Sequence, residues 1–166
     1  MTDPGDARVT VRRLGAPGDL GWVVQAHGEV YAEQFGWDQT FEALVAQIVA
    51  DYGNGRDPRR EAAWIAEVDG RRAGCVFCVA DPAETARLRI LLVDPAARGL
   101  GIGSRLVDEC LRFAKEAGYR RITLWTNDVL VSARRIYEAA GFELVDEERH
   151  HSFGHDLVGQ NWSRDL

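Results

Sequence analysis

The sequence lacks the features that mark membrane proteins, nucleic-acid-binding proteins and secreted proteins. It contains no run of about eighteen apolar residues, so we expect no membrane-spanning helix. The formal net charge is −6 and the arginine pairs are scattered, so we expect no nucleic-acid partner, which would need a basic stripe. The first six residues, MTDPGD, are acidic and polar, and we therefore expect a cytoplasmic protein without a secretory signal.

Cysteine is also scarce, since the chain has only three, and Cys75 and Cys78 form a C-x-x-C pattern. This pair lies in an apolar strand pattern, where positions three apart point to opposite faces. A redox motif would open a helix and a zinc site would need two further ligands, so we predict buried cysteines and no metal site. Cys110 is expected in the core as part of a helix.

Hydrophobic periodicity predicts an α/β (α+β) chain that folds as one domain over residues 1–166. Gly36 is expected to interrupt the first helix, and Asp38 to cap the second. Asp69 and Gly70 are a strong signal for a hairpin turn. We predict strands at 8–14, 61–68, 71–79, 84–93, 121–126, 142–148 and from 156 onward, with helices at 17–36, 38–52, 100–117 and 130–140.

The most informative segment is residues 93–110, VDPAARGLGIGSRLVDEC, which leaves an apolar strand, turns through glycines and enters an amphipathic helix. Gly99, Gly101 and Gly103 would let a ligand approach the backbone. The free N–H groups and the positive end of the helix dipole suit a phosphate or pyrophosphate. The segment is not a P-loop, because no G-K-[S/T] follows, and it lacks the third glycine of the dinucleotide fingerprint.

Two motifs carry a family resemblance. The spacing R-x-x-G-x-G at Arg98, Gly101 and Gly103 is followed by LWTND and SARRIYEAAGF within residues 124–142, and together they resemble the GNAT superfamily of acyl-CoA-dependent N-acetyltransferases. The resemblance covers residues 9–166 and implies a mixed, mostly antiparallel central sheet of about seven strands flanked by helices. It also implies acetyl-CoA as the cofactor.

The resemblance implies specific coenzyme contacts. Leu91, Leu92 and Val93 match the strand that pairs with the pantetheine arm. Many relatives carry an asparagine where this chain has Leu130, and we expect Asn127 to take over that contact, with Arg134 near the outer coenzyme. The residues expected to hold the pyrophosphate are Arg98, Gly99, Leu100, Gly101, Ile102, Gly103 and Ser104.

Catalytic roles are implied for two residues. The N–H of Val93 is the candidate donor to the oxyanion, because a backbone dipole there would stabilise developing charge. Tyr137 occupies the tyrosine that in many relatives protonates the departing thiolate, which a phenol with a pKa of about 10 can do. The alternative for Tyr137 is a structural role between helix and sheet.

The general base and the acceptor pocket are less defined. The strand RLRILLV has no carboxylate in its middle, whereas Glu29 and Glu33 share one face of the first helix, and Glu33 is the preferred base. A solvated surface pair and proton loss through water are the alternatives. Trp37, His150 and His151 are further candidates for binding the acceptor, the histidines from a loop between the last two strands.

The resulting hypothesis is an N-acetyltransferase that acts by direct transfer on a small amine or amino-acid-like molecule, and the acidic balance favours a cationic amine. A non-catalytic acyl-CoA-binding sensor and a protein lysine or N-terminal acetyltransferase are the alternatives. Residues 31–38, 124–142 and 151–160 also resemble the acetyltransferase half of bacterial proteins that fuse a MarR-type regulator to a GNAT domain. We expect a version without the regulator half, and the choice between monomer and homodimer stays open.

Overall fold

The computed structural model describes residues 7–82 and 84–166, so the acidic segment 1–6 lies outside the described residues. None of the helices in these two ranges is long and apolar enough to cross a bilayer. In chain order the elements are β1 (Val9–Arg13), α1 (Asp19–Phe35), α2 (Gln39–Gly55), β2 (Ala62–Val68), β3 (Arg71–Asp81), β4 (Thr85–Val93), a short 3₁₀ helix (Pro95–Ala97), α3 (Ile102–Glu116), β5 (Arg121–Asn127), α4 (Val131–Ala139), β6 (Glu143–Ser152) and β7 (His155–Asp165).

The signals read from the sequence at the ends of the first two helices are confirmed. Gly36 ends α1 in the left-handed conformation with φ 70°. The side chain of Asp38 caps α2 by accepting a hydrogen bond from the backbone N–H of Thr40 at 3.0 Å. Helix α2 continues to Gly55, beyond the predicted end at residue 52.

The seven strands form one sheet in the order β1-β2-β3-β4-β5-β7-β6. Every neighbouring pair is antiparallel except β4 and β5, which are parallel. The prediction of a mixed, mostly antiparallel sheet is therefore confirmed. Strand β4 pairs with β5 only over residues 85–87, opposite 121–123, and the two strands separate beyond that point. The single-domain range of 1–166 stays a prediction.

The sheet separates two apolar cores, and buried cysteines lie in both. Cys75 packs in the core on the side of α1 and α2. Cys78 and Cys110 pack in the core beneath α3. All three thiols are free and buried, and burial raises the pKa of Cys75. The two C-x-x-C cysteines therefore face opposite sides of β3, as the strand period predicts.

Strand β4 contains a bulge that the sequence did not reveal. Cys75 is opposite Leu92 whereas Phe77 is opposite Arg89, so β4 has one residue more than β3 between these pairs. Ile90 adopts a positive φ of 44° at this point. Arg89 and Ile90 consequently follow each other on the side of α1 and α2, and the alternation resumes after them.

The last hairpin differs from the prediction. Strand β6 extends to Ser152, and a two-residue turn at Phe153 and Gly154, with φ of 56° and 84°, connects it to β7. His150 and His151 therefore lie within a strand, not in a loop as expected. The backbone carbonyl of Phe153 accepts a hydrogen bond from the N–H of Asp38 at 3.1 Å, which fixes the hairpin tip against the junction of α1 and α2.

Candidate active site

The separation of β4 from β5 opens a cleft of about 510 Å³. Its walls are the end of β4, the glycine turn, the first turns of α3 and α4, and one side of α1. Because β4 has no partner on this edge beyond residue 87, its backbone is available to pair with an extended ligand. Leu91, Leu92 and Val93 line the cleft at this edge.

The glycine turn places free amides at the floor of the cleft. The first helical hydrogen bond of α3 runs from Arg105 N–H to the Gly101 carbonyl at 3.1 Å. The N–H groups of Ile102, Gly103 and Ser104 therefore have no acceptor within the helix, and the positive end of the helix dipole lies there. This arrangement suits a phosphate group.

The three glycines of this turn, Gly99, Gly101 and Gly103, are favoured for two different physical reasons. Gly99 and Gly101 adopt φ of 85° and 73°, and nothing lies within 4 Å of a Cβ added at either. Gly103 lies within α3, where an added Cβ would be 2.5 Å from Cδ1 of Ile136. The absent side chain of Gly103 thus makes room for the packing of α3 against α4, and its role in ligand approach stays a prediction.

The charges lining the cleft are positive. Arg98 and Arg135 line it, and no aspartate or glutamate is among its lining residues. Nη2 of Arg98 donates to Oε1 of Gln34 at 3.0 Å, which connects the glycine turn to α1. Arg135 lines the cleft, where Arg134 was expected.

Arg134 and Leu100, which were predicted at the coenzyme, do not line the cleft. Nη1 of Arg134 donates to the backbone carbonyl of Asp128 at 3.2 Å, and this side chain does not line the cleft. Leu100 packs against the core below α3 instead of lining the cleft. The other predicted members of the glycine turn line it, namely Arg98, Gly99, Gly101, Ile102, Gly103 and Ser104.

A second cavity of about 200 Å³ adjoins the cleft, and Tyr31, Leu91 and Leu130 line both. One wall of this cavity is aromatic, and the ring centroids of Trp37 and Phe153 in it are 4.9 Å apart. Trp37 was predicted at the acceptor site, whereas Phe153 was missed, and an aromatic residue beside a hairpin glycine was its only sequence signal. Apolar and aromatic side chains of this wall are Trp37, Phe41, Leu44, Ile48, Trp125 and Phe153.

Tyr137 lines the second cavity from α4 and is only 5% exposed. Burial raises the pKa of its phenol well above the usual value of 10. The phenol is therefore protonated at neutral pH, and the raised pKa makes it a weaker acid than an exposed phenol. Its ring also contacts Phe142, with centroids 5.9 Å apart.

Asn127 lines the second cavity and not the cleft, so the expected contact with the coenzyme is not supported. Its Oδ1 is 2.8 Å from Nε2 of His150, whose Nδ1 is 2.9 Å from Oγ of Ser152. His150 thus positions Asn127 instead of lining the cavity. His151 is exposed and pairs with Asp156 at 2.9 Å, so neither predicted histidine lines either cavity.

The predicted base is also outside both cavities. Glu29 and Glu33 are exposed on α1, and Glu29 accepts a hydrogen bond from Gln25 at 3.0 Å. Among the residues that the structure describes, no carboxylate lines the second cavity, whereas Arg87 and Arg89 do. Both glutamates face solvent from α1, which is the arrangement expected for a solvated surface pair. Within residues 7–82 and 84–166, no cluster of histidine, cysteine and acidic side chains is arranged to hold a metal ion.

His27 is a buried imidazole at the edge of the second cavity that sequence reasoning assigned only to a helix face. Its Nδ1 is 2.7 Å from the carbonyl of Val23, which can only accept, so Nδ1 carries the proton. Nε2 is buried without a hydrogen-bond partner. Burial lowers the pKa of His27 to about 4, so the ring is neutral at pH 7.

Comparison with known proteins gives a family match. The sequence profile of the acetyltransferase (GNAT) family matches residues 24–142. The chain is 28% identical over 122 residues to an uncharacterized N-acetyltransferase of Schizosaccharomyces pombe, covering 72% of this chain and 74% of that protein. It is 33% identical over 86 residues to an uncharacterized N-acetyltransferase of Methanocaldococcus jannaschii, covering 48% of this chain and 38% of that protein.

A further relative is human N-acetylaspartate synthetase, 34% identical over 89 residues, which are 53% of this chain and 30% of that protein. The chain therefore matches well under half the length of the archaeal and human proteins. Among solved structures, a GNAT acetyltransferase of Staphylococcus aureus Mu50 superposes with a TM-score of 0.77 at 20% identity, covering 96% of this chain and 99% of that chain. An acetyltransferase of Bacillus anthracis in complex with acetyl coenzyme A has a TM-score of 0.61 at 24% identity, covering 70% and 67%.

Proposed function

The chain belongs to the acetyltransferase (GNAT) family, and we propose that it transfers the acetyl group of acetyl-CoA directly to the amine of a small molecule. The observation that carries this proposal is the junction of the two cavities. A cleft ending at free helix amides meets an aromatic cavity at Tyr31, Leu91 and Leu130, so an acyl group and an amine can meet there.

The residues of the cleft fit coenzyme A. The amides of Ile102, Gly103 and Ser104 would hold its diphosphate, and Arg98 and Arg135 would add positive charge without a competing carboxylate. The free edge of β4 at residues 91–93 would pair with the amide-containing pantetheine arm. When bound, the coenzyme supplies an acyl thioester that is already activated toward an amine.

The chemistry required of the chain is limited. The amine nitrogen forms a bond to the acyl carbon, the carbon–sulfur bond breaks, and the sulfur leaves with the electron pair. The N–H of Val93 is the proposed donor to the oxygen as charge develops. Tyr137 is the proposed acid that protonates the departing sulfur, because it lines the second cavity from α4 and carries the one phenolic proton there besides that of Tyr31. Because no carboxylate lines the acceptor cavity, the proton of the amine is proposed to leave through water.

A small acceptor is supported by the limited volume of the second cavity and by the human relative, which is named as a synthetase of N-acetylaspartate. A cytoplasmic location and a kinship with regulator fusions stay predictions.

The test is a screen of amines for release of coenzyme A thiol from acetyl-CoA. Release that depends on the amine, with the N-acetyl product seen by mass spectrometry, is expected. Binding of acetyl-CoA without release by any amine would favour the sensor alternative. Acetylation of protein lysines or N-termini but of no small amine would favour the protein acetyltransferase alternative.

A further inference from the structure

Two arginines of β4 face the second cavity. Arg87 and Arg89 are two residues apart on the strand, so their side chains leave the same face, beneath α2. Nη2 of Arg87 lies 3.3 Å from Oδ2 of Asp81, which balances its charge. In the described part of the chain, the side chain of Arg89 forms no ion pair and no hydrogen bond, although it is half-buried.

A half-buried cation without a partner is an unfavourable arrangement, because desolvation weakens its hydration and nothing replaces it. Burial lowers the pKa of Arg89, and the neighbouring charge of Arg87 lowers it further. Asp81 and Asp51 act on Arg89 only as distant charges. The other residues that line the cavity are largely apolar and include no carboxylate. An anion within the cavity would supply the missing partner.

We infer that the acceptor is a free amino acid with an apolar side chain, whose carboxylate binds the guanidinium of Arg89 in the second cavity. This inference deepens the proposed function and rests on it. The planar fork of a guanidinium matches the two oxygens of a carboxylate, which favours this anion over a single-point acceptor. Arg87 is already paired with Asp81, so a single carboxylate from the ligand would give Arg89 its missing partner.

The geometry along β4 places the amine correctly. Arg89 lines the second cavity and lies two residues before Leu91, which lines both cavities. A carboxylate on Arg89 therefore leaves the adjacent amine directed toward the junction with the cleft. The aromatic wall formed by Trp37, Phe41 and Phe153 would receive an apolar side chain. The overall charge of −6 predicted a cationic amine, but the charges that line the cavity are of the opposite sign.

The experiment compares amino acids with their carboxamides, which lack the charge. L-leucine, L-methionine and L-phenylalanine are each paired with the corresponding amide, and kcat/KM for thiol release is measured. The wild type is expected to prefer the acid at least roughly tenfold, as a charge-assisted hydrogen bond permits. Arg89→Gln is expected to reduce this ratio to about one by raising KM for the acid more than KM for the amide.

Arg112→Gln is the matched control, because it removes the same charge from an exposed position on α3. It is expected to keep the preference for the acid. Equal rates on acid and amide in the wild type, or a preference that survives Arg89→Gln, would overturn the inference. Turnover of other amines but of no member of the panel would also overturn it and leave the proposed function intact.

A binding measurement separates the inference from catalysis. Calorimetry on the protein saturated with coenzyme A compares N-acetyl-L-leucine with N-acetyl-L-leucinamide. Tighter binding of the acid in the wild type but not in Arg89→Gln supports the site even if no amine is turned over, in which case the proposed function fails. No preference for the acid in this measurement would show that the site is assigned wrongly.

Discussion

Cδ1 of Ile136 occupies the space that a side chain at Gly103 would need, with 2.5 Å between that carbon and an added Cβ. This contact joins the first turn of α3 to α4, the helix that carries Tyr137. The two motifs that identify the family in the sequence therefore pack against each other in the fold.

Gly103→Ala is expected to destabilise the protein by about 1–3 kcal/mol, because overpacking forces side chains off their rotamers. Ile136→Val removes the clashing carbon, and the double variant is expected to regain most of the loss, since alanine also favours a helix over glycine. Urea denaturation of the single and double variants measures the coupling. Additive free energies of unfolding would show that the contact does not limit this position.

Gly101→Val is expected to raise the Kd for acetyl-CoA at least roughly tenfold and to cost about 1–2 kcal/mol of stability, since a left-handed φ is strained for a β-branched residue. Gly118→Val is the control. Gly118 also has a positive φ and open space around it, but it follows the opposite end of α3. Gly118→Val is expected to lose a similar amount of stability, and calorimetry is expected to give an unchanged Kd for acetyl-CoA. Similar binding losses in both variants would mean that strain alone accounts for the effect.

Tyr137→Phe is expected to lower kcat by about a hundredfold or more with little change in the Kd for acetyl-CoA, because general acid catalysis contributes about 10² to 10⁴ in rate. Tyr119→Phe serves as the control for loss of a buried hydroxyl, since Tyr119 donates to the carbonyl of Arg60 at 2.7 Å and lines neither cavity. It is expected to lose stability and keep kcat. A near-normal kcat in Tyr137→Phe would make Tyr137 a structural residue.

His27 is expected to make stability depend on pH. The pKa of His27 is about 4 in the folded protein, below the usual 6.5. The free energy of unfolding is therefore undiminished by His27 above pH 6.5, and it decreases as the pH falls toward 4. The full loss is about 3 kcal/mol. His27→Leu is expected to be less sensitive than the wild type when unfolding free energies at pH 7.5 and 4.5 are compared. His151→Asn, which alters an exposed histidine, should behave as the wild type, and equal pH sensitivity in all three proteins would contradict the assignment.

Local chemistry in the sequence was sufficient for the order of the elements and for the glycine turn at the floor of the cleft. Helix caps, the Asp69-Gly70 turn and the left-handed glycine at Gly101 depend on residues close in the chain, so their conformations follow from composition and spacing. The period of two in β3 likewise placed Cys75 and Cys78 on opposite faces.

The acceptor side was decided by tertiary structure. The bulge at Ile90 results from the pairing of β4 with β3, and it places Ile90 on the same side of the sheet as Arg89. Glu33 had a suitable chemistry and helix face, but the packing of α1 on the sheet turned it to solvent. Phe153 reaches the cavity only because β6 and β7 continue to the tip of their hairpin. Strand register and helix orientation depend on contacts between segments far apart in sequence, so local patterns determined the family motifs and the glycine turn, whereas packing determined which charges line the second cavity.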